Sequence, residues 1–320
     1  ANCGMGAIAH LRGEKSYDIL DYALTSVCNM THRGAVDADM KTGDGSGILC
    51  QIPRPLFAKA AEKFGYTGEA NDLGVGVFFL PEGIAANIKS FTESVLTRRN
   101  IQFVGWREVP VNPDELGNLA RLTQPEITHL LVSRPADVDS DHFERLLYLV
   151  RREIEREFED EAAFYIPTLS SRLISYKGLA MPATLRAFYG DLQDSDFQTG
   201  ISLYHQRFST NTFPAWPLGQ PFRMMCHNGE INTVRGNRNW MRSREEFFSS
   251  ELWGDDIELV KNLMHDDESD SASLDHALEL LVLSGRRLEH AMRMLVPPAF
   301  RHDPDITEEE RAFYNYIRSF

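Results

Sequence analysis

Apolar positions recur at helical spacing across residues 16–30, where Ile19, Leu20, Tyr22, Ala23 and Val27 line one face. This predicts an amphipathic helix following a first strand; the apolar stretch Ala7-Ile8-Ala9-His10-Leu11 precedes it. Residues 43–47 form a glycine-rich turn, and residues 48–52 (ILCQI) read as a buried strand closed by Pro53. Further strands are expected at 74–80, 101–106, 128–132, 163–166 and 173–176, with a helix at about 83–98. Across 141–158, Phe143, Leu146, Leu147, Leu149, Val150 and Ile154 oppose a charged face, the pattern of a helix packed on a sheet. The chain is thus mixed α and β, without internal repeat or low-complexity tract.

Composition narrows the class. The 320 residues, 42% hydrophobic and 25% charged, suffice for one large core or two modest ones. Against 47 acidic residues stand 33 basic ones, a net charge of −14 that argues against a nucleic-acid or anionic-membrane surface. Apolar runs such as residues 146–150 fall far short of the roughly 20 residues that span a bilayer. No secretory segment opens the sequence, so a cytoplasmic location is the expectation. The four cysteines, at 3, 28, 50 and 226, have no C-x-x-C spacing and suggest neither zinc nor an iron–sulfur cluster. Cys28, Cys50 and Cys226 are expected in the core.

Cys3 is different. It stands in the small run Cys3-Gly4-Met5-Gly6, where backbone without Cβ lets a substrate approach the sulfur. A thiol attacks as thiolate and needs a base. If Ala1 and Asn2 were removed, the α-amine of Cys3, with an ordinary pKa of roughly 8, would be that base. Taken by itself, Cys3 reads first as one apolar residue opening a strand. The run TGDGSG (42–47) lacks the Lys-Ser/Thr of a phosphate-binding loop and precedes a strand, so it reads as a tight turn. Asn228-Gly229 is a favoured turn dipeptide.

The company of Cys3 decides between these readings. Its Cys-Gly-x-Gly start, HRGA (32–35), TGDGSG (42–47), HQRFSTNT (205–212), PFRxxxHNGEIN (221–232) and SDSASLDHALELL (269–281) occur in order. Together they resemble the glutamine amidotransferase domain of the bacterial glutamate synthase large subunit. The resemblance implies an α+β fold, the four-layer αββα sandwich of the N-terminal-nucleophile hydrolases, over residues 1–320, C-terminally truncated relative to the family. It implies hydrolysis of L-glutamine through a γ-glutamyl thioester on Cys3, with Asn228 and Gly229 as oxyanion hole. Arg207 would bind the substrate carboxylate, Asp270 its ammonium, and Arg33 would shape the pocket. Left to themselves, Arg207 reads as a salt-bridge residue and Asp270 as a helix N-cap. His32, His205 and His227 receive no chemical role. No cofactor is expected in this chain; FMN and an iron–sulfur cluster would belong to the synthase region of the same polypeptide, which would pass ammonia to 2-oxoglutarate and could use a small electron-donating subunit. Two other readings stay open: a folded but catalytically silent glutamine-binding fragment, with Ala1-Asn2 still blocking the amine, and another N-terminal-nucleophile amide hydrolase.

Overall fold

The computed structural model describes residues 3–36, 39, 41–207, 215–229, 231–266 and 268–317. Ala1 and Asn2, Phe208 to Thr212 of the HQRFSTNT motif, Glu230 of HNGEIN, Asp267 and the terminal Ser319-Phe320 lie outside them. The chain divides into two compact units, Ala1–Gly229 and Glu230–Phe320.

In the first unit the order is β1 (Gly4–Ala9), α1 (Tyr17–Asn29), β2 (Ser46–Gln51), α2 (Arg54–Glu62), β3 (Leu73–Leu80), α3 (Ala85–Arg98) and β4 (Gln102–Glu108). Then come α4 (Asn118–Leu122), β5 (Glu126–Ser133), α5 (Ser140–Glu157), β6 (Tyr165–Ser170), β7 (Leu173–Gly178), α6 (Pro182–Phe188) and β8 (Ile201–Gln206). Two antiparallel four-stranded sheets result, ordered β1-β8-β2-β7 and β4-β5-β3-β6. The α+β class follows. A shared core joins Ile48, Cys50, Ile174 and Tyr176 of the first sheet to Val75, Val77, Phe79, Ile127 and Leu131 of the second. On the second sheet, Phe78, Leu80, Leu130 and Val132 instead meet α3 and α5, because successive strand residues point to opposite faces.

Helix α5 shows how local pattern becomes packing. Asp139 caps it by accepting from His142 N at 2.8 Å. Phe143, Leu147, Val150 and Ile154 recur on one face and are fully buried, each worth about 1.5–3 kcal/mol. Helix α1 packs its Ile19, Leu20, Ala23, Leu24 and Val27 face inward and lies against β1 and β8.

One expectation for this unit needs correction, and the sequence pattern anticipates neither α2 nor β8. Strand β2 begins at Ser46, so Gly47 belongs to the ladder and the turn ends at Gly45, where φ is +98°. Helix α2 occupies the residues after Pro53, which follows the end of β2 and stands at the N-cap position of the helix. Its neighbour Pro55 sits in the first turn, where no intrahelical N–H is lost. Strand β8, which pairs with both β1 and β2, carries no alternating apolar signal: Ser202, His205 and Gln206 are buried among its residues.

A polar network lies within this unit. Arg107 grips Asp191 with two bonds, 2.8 and 2.6 Å, and donates to His129 Nδ1 at 3.0 Å, while Tyr176 Oη donates to Asp191 at 2.8 Å. Burial pushes His129 down to about 3 and, on β8, His205 down to about 4. Both folded values lie below the unfolded value of about 6.5, so the unfolded chain binds these protons first as pH falls. Stability is therefore expected to rise with pH from about 4 to 6.5 and to gain nothing further from these histidines above it. The loss at pH 4.5 is on the order of 2 kcal/mol per histidine. Urea midpoints measured at pH 7.5 and 4.5 test this, and His129→Gln should flatten the dependence. Burial opposes ionisation of Asp191, yet Arg107 holds its pKa below the usual carboxylate value, so its contribution is lost only at lower pH.

The second unit contains α7 (Val234–Glu245), α8 (Asp270–Leu283), α9 (Leu288–Leu295) and α10 (Glu308–Ile317). Met294, Phe300, Tyr314 and Ile317 form its apolar cluster, with Leu281, Ile306 and Phe313 packed on it. The apolar stretch 274–283 is the body of α8. Its N-cap is Ser269, whose Oγ accepts from Ala272 N at 3.1 Å, so the expectation that Asp270 caps the helix is corrected by one position.

Candidate active site

The first sheet assembles a site at one end of β8. Strands β1 and β2 both run antiparallel to it, so both begin where it ends: Gly4 and Ser46 each stand opposite Gln206. One residue further, Cys3 precedes β1, Gly45 precedes β2, and Arg207 follows β8. Arg207 N donates to Gly45 O at 2.8 Å. Its φ of +91° is unusual for a residue with a side chain, costing on the order of 1–3 kcal/mol and persisting only where the surroundings enforce it.

Cys3 is 5% exposed. Burial raises its thiol pKa, Arg207 opposes this by favouring the thiolate, and Asp44 adds to the rise. Asp44 and Arg207 form an ion pair at 3.3 Å, and the same Asp44 oxygen accepts from Ala35 N at 2.7 Å. Asp44 lies inside TGDGSG, one residue before Gly45, and only the pairing of β2 with β8 brings Arg207 beside it.

The HRGA segment closes another side. Arg33 ends a single turn at Thr31–Arg33 after α1 and is exposed. Gln206 Nε2 donates to Thr31 O at 3.0 Å. A Cβ on Gly34 would stand 2.2 Å from that nitrogen and push the Gln206 amide off Thr31 O. Asp39 anchors the following loop: it accepts from Lys41 N, Thr42 N, Thr42 Oγ1 and, from α4, Asn118 N, bonds of 2.6 to 2.9 Å that lower its pKa.

Asn228 reaches Cys3 directly, its Nδ2 donating to the Cys3 carbonyl at 3.0 Å. His205 holds this segment in place through a 3.1 Å contact between Nε2 and His227 O, and His227 N donates to Gln220 Oε1 at 2.8 Å. His205 is fully buried and, at a pKa of about 4, neutral at physiological pH, so Nε2–H is the donor. Gly229 follows, exposed. Cys3, Asn228, Gly229, Arg207 and the Arg33 loop thus share the end of one sheet.

Asp270 belongs to the second unit. It occupies the first position of α8, accepting from Ile231 N at 2.9 Å, Ser271 N at 2.6 Å and Ser271 Oγ at 3.1 Å. The remaining cysteines differ in burial: Cys50 is fully buried and donates to Ser202 Oγ at 3.2 Å, whereas Cys28 and Cys226 are partly buried. Burial pushes Cys50 and Cys226 up to about 12, which suits inert thiols. Among the described residues no group of three or more His, Cys, Asp or Glu side chains could hold a metal ion, and no helix is long and apolar enough to cross a membrane.

Comparison with known proteins identifies the family. The chain is 42% identical over 98% of its length to a ferredoxin-dependent glutamate synthase of Pyropia yezoensis. It is 40% and 39% identical, over 99% of its length, to glutamate synthase (NADPH) large chains of Bacillus subtilis (strain 168) and Azospirillum brasilense. It spans about a fifth of the length of each of these relatives, 21% in every case. Residues 3–320 match the family described as glutamine amidotransferases class-II, and the chain belongs to that family.

Proposed function

We propose that this chain hydrolyses the side-chain amide of L-glutamine at Cys3, and that the ammonia released serves glutamate formation in a larger synthase, as the names of its relatives suggest. The observation that carries the reading is the convergence of Cys3, Arg207 and Asn228 at the end of β8. The four-layer αββα sandwich is part of the proposal, supported by two facing sheets with helices against them.

The chemistry proceeds in two steps. With Ala1 and Asn2 removed, the Cys3 thiol gives its proton to the Cys3 α-amine and attacks the amide carbon as thiolate. The tetrahedral oxyanion is met by Asn228 Nδ2–H and Gly229 N–H. Ammonia departs with the proton held by the amine, leaving a γ-glutamyl thioester, and water activated by the same amine releases glutamate and restores the thiol. The resting bond from Asn228 to the Cys3 carbonyl uses one of two Nδ2 hydrogens and orients the other. Arg33 would line the pocket. Arg207 would exchange part of its pairing with Asp44 for the substrate carboxylate, and Asp270 would hold the ammonium. By the same resemblance, the synthase steps on 2-oxoglutarate, with FMN, an iron–sulfur cluster and an electron-donating partner, involve no residue of this chain.

Arg207→Lys tests the assignment. Lysine keeps the charge but loses the planar two-pronged donor, so the glutamine KM should rise about tenfold, the equivalent of one charge-assisted bond, with kcat within about threefold. Steady-state ammonia release measures both, and an unaltered glutamine dependence removes Arg207 from the pocket.

A further inference from the structure

We propose that Arg238 is a positioning residue for glutamine recognition that acts through Asp270; this rests on the reading of Asp270 as the ammonium-binding carboxylate. Arg238 lies in α7 and is only 7% exposed. Its guanidinium is spent on the chain that enters α8. Nη1 donates to Asp266 O at 3.1 Å, Nη2 to Glu268 O at 2.6 Å and to Ser269 O at 3.3 Å, and Nε to Ser273 Oγ at 2.9 Å. Three of these acceptors are carbonyls of an irregular segment that ends at the residue before Asp270. The fourth lies one turn into the helix, and Ser273 Oγ itself donates back to Ser269 O at 3.3 Å.

One rigid planar group therefore spans the junction and fixes the direction in which α8 begins. Only a guanidinium offers donors at that spread in a fixed plane. The position at stake is the first of the helix, where Asp270 is oriented by bonds from Ile231 N and from Ser271. A carboxylate pairs usefully with an ammonium only while its oxygens stay within hydrogen-bond reach, so loosening this junction would weaken recognition of the substrate's α-amine specifically. The spacing of Arg238 within GNRNWMRSR carries no signal in sequence, since arginine on a polar helix ordinarily faces solvent.

The test compares glutamine with glutaramate, which is glutamine without its α-amino group, in the full chain. Arg238→Met should lower kcat/KM for glutamine about tenfold through KM, the value of a charge-assisted bond, and leave glutaramate turnover within about twofold. Ser273→Ala, a smaller lesion, should act in the same direction by about twofold to threefold, and Arg238→Lys should recover only part of the loss. Equal losses on both substrates would overturn the proposal by showing a general structural effect. Asp270→Asn separates the two readings. If it abolishes the preference for glutamine while Arg238→Met does not, Arg238 has no such role; if Asp270→Asn leaves the preference intact, the reading of Asp270 fails and the inference with it.

Discussion

Cys3→Ser is expected to lower ammonia release from glutamine on the order of 10⁴-fold or more while glutamine still binds, because a missing nucleophile cannot be replaced by binding alone. Serine is nearly isosteric and leaves the pairing of Gly4 with Gln206 untouched. What it removes is acidity: an α-amine near pKa 8 can take a proton from a thiol at small cost, whereas an unassisted hydroxyl is far weaker. Burial already raises the Cys3 thiol, and Arg207 supplies the opposing charge. The measurement is ammonia production by a chain beginning at Cys3, with glutamine binding by calorimetry in parallel and intact mass to trap the glutamyl adduct. Undiminished turnover would place the nucleophile elsewhere, although burial makes Cys50 and Cys226 poor candidates. A chain that keeps Ala1-Asn2, binds glutamine and releases no ammonia would support the silent reading for that form.

Asn228→Ala is expected to cut kcat by about 10²–10³, or roughly 2.7–4 kcal/mol of transition-state stabilisation, with little change in KM. The difference between the two parameters is the signature. The oxygen of the substrate amide becomes fully negative only in the tetrahedral state, so a donor aimed there is worth most at that moment. The proposed role is supported by the 3.0 Å bond from Asn228 to the Cys3 carbonyl and by the His205–His227 contact behind it. Alanine loses the bond to the Cys3 carbonyl and the proposed bond to the oxyanion, and Asn228→Asp would set a negative charge against both oxygens, with a loss at least as large. Rates under saturating glutamine decide it: a variant impaired only in KM would make Asn228 a binding residue.

Much of the local structure was legible in the residues. The helices α1, α3 and α5 and the strands β3, β5 and β7 follow from apolar periodicity, which reports which face a short segment must bury. The motifs pointed to Cys3, Asn228, Gly229, Arg207 and Arg33, and the structure brings their segments to one end of a sheet. Other features were silent. Strand β8 buries serine, histidine and glutamine, a composition that gives no alternating signal. Helix α2 was hidden behind a proline that serves equally well to end a strand or begin a helix. Asp44 and Arg238 look like surface charge until their partners are known.

By itself the sequence determined the family, the motifs that single out Cys3 and most elements, because these rest on residue types and on spacings within a few turns of chain. Tertiary structure alone decided that residues 201–206 lie between the strands beginning at Gly4 and Ser46, and that Asn228 meets Cys3 across 225 positions. Such pairings are selected by the packing and hydrogen bonding of the whole sheet against the entropy of closing long loops. No local pattern records the outcome of that competition, so the site exists only where three strand ends have already met.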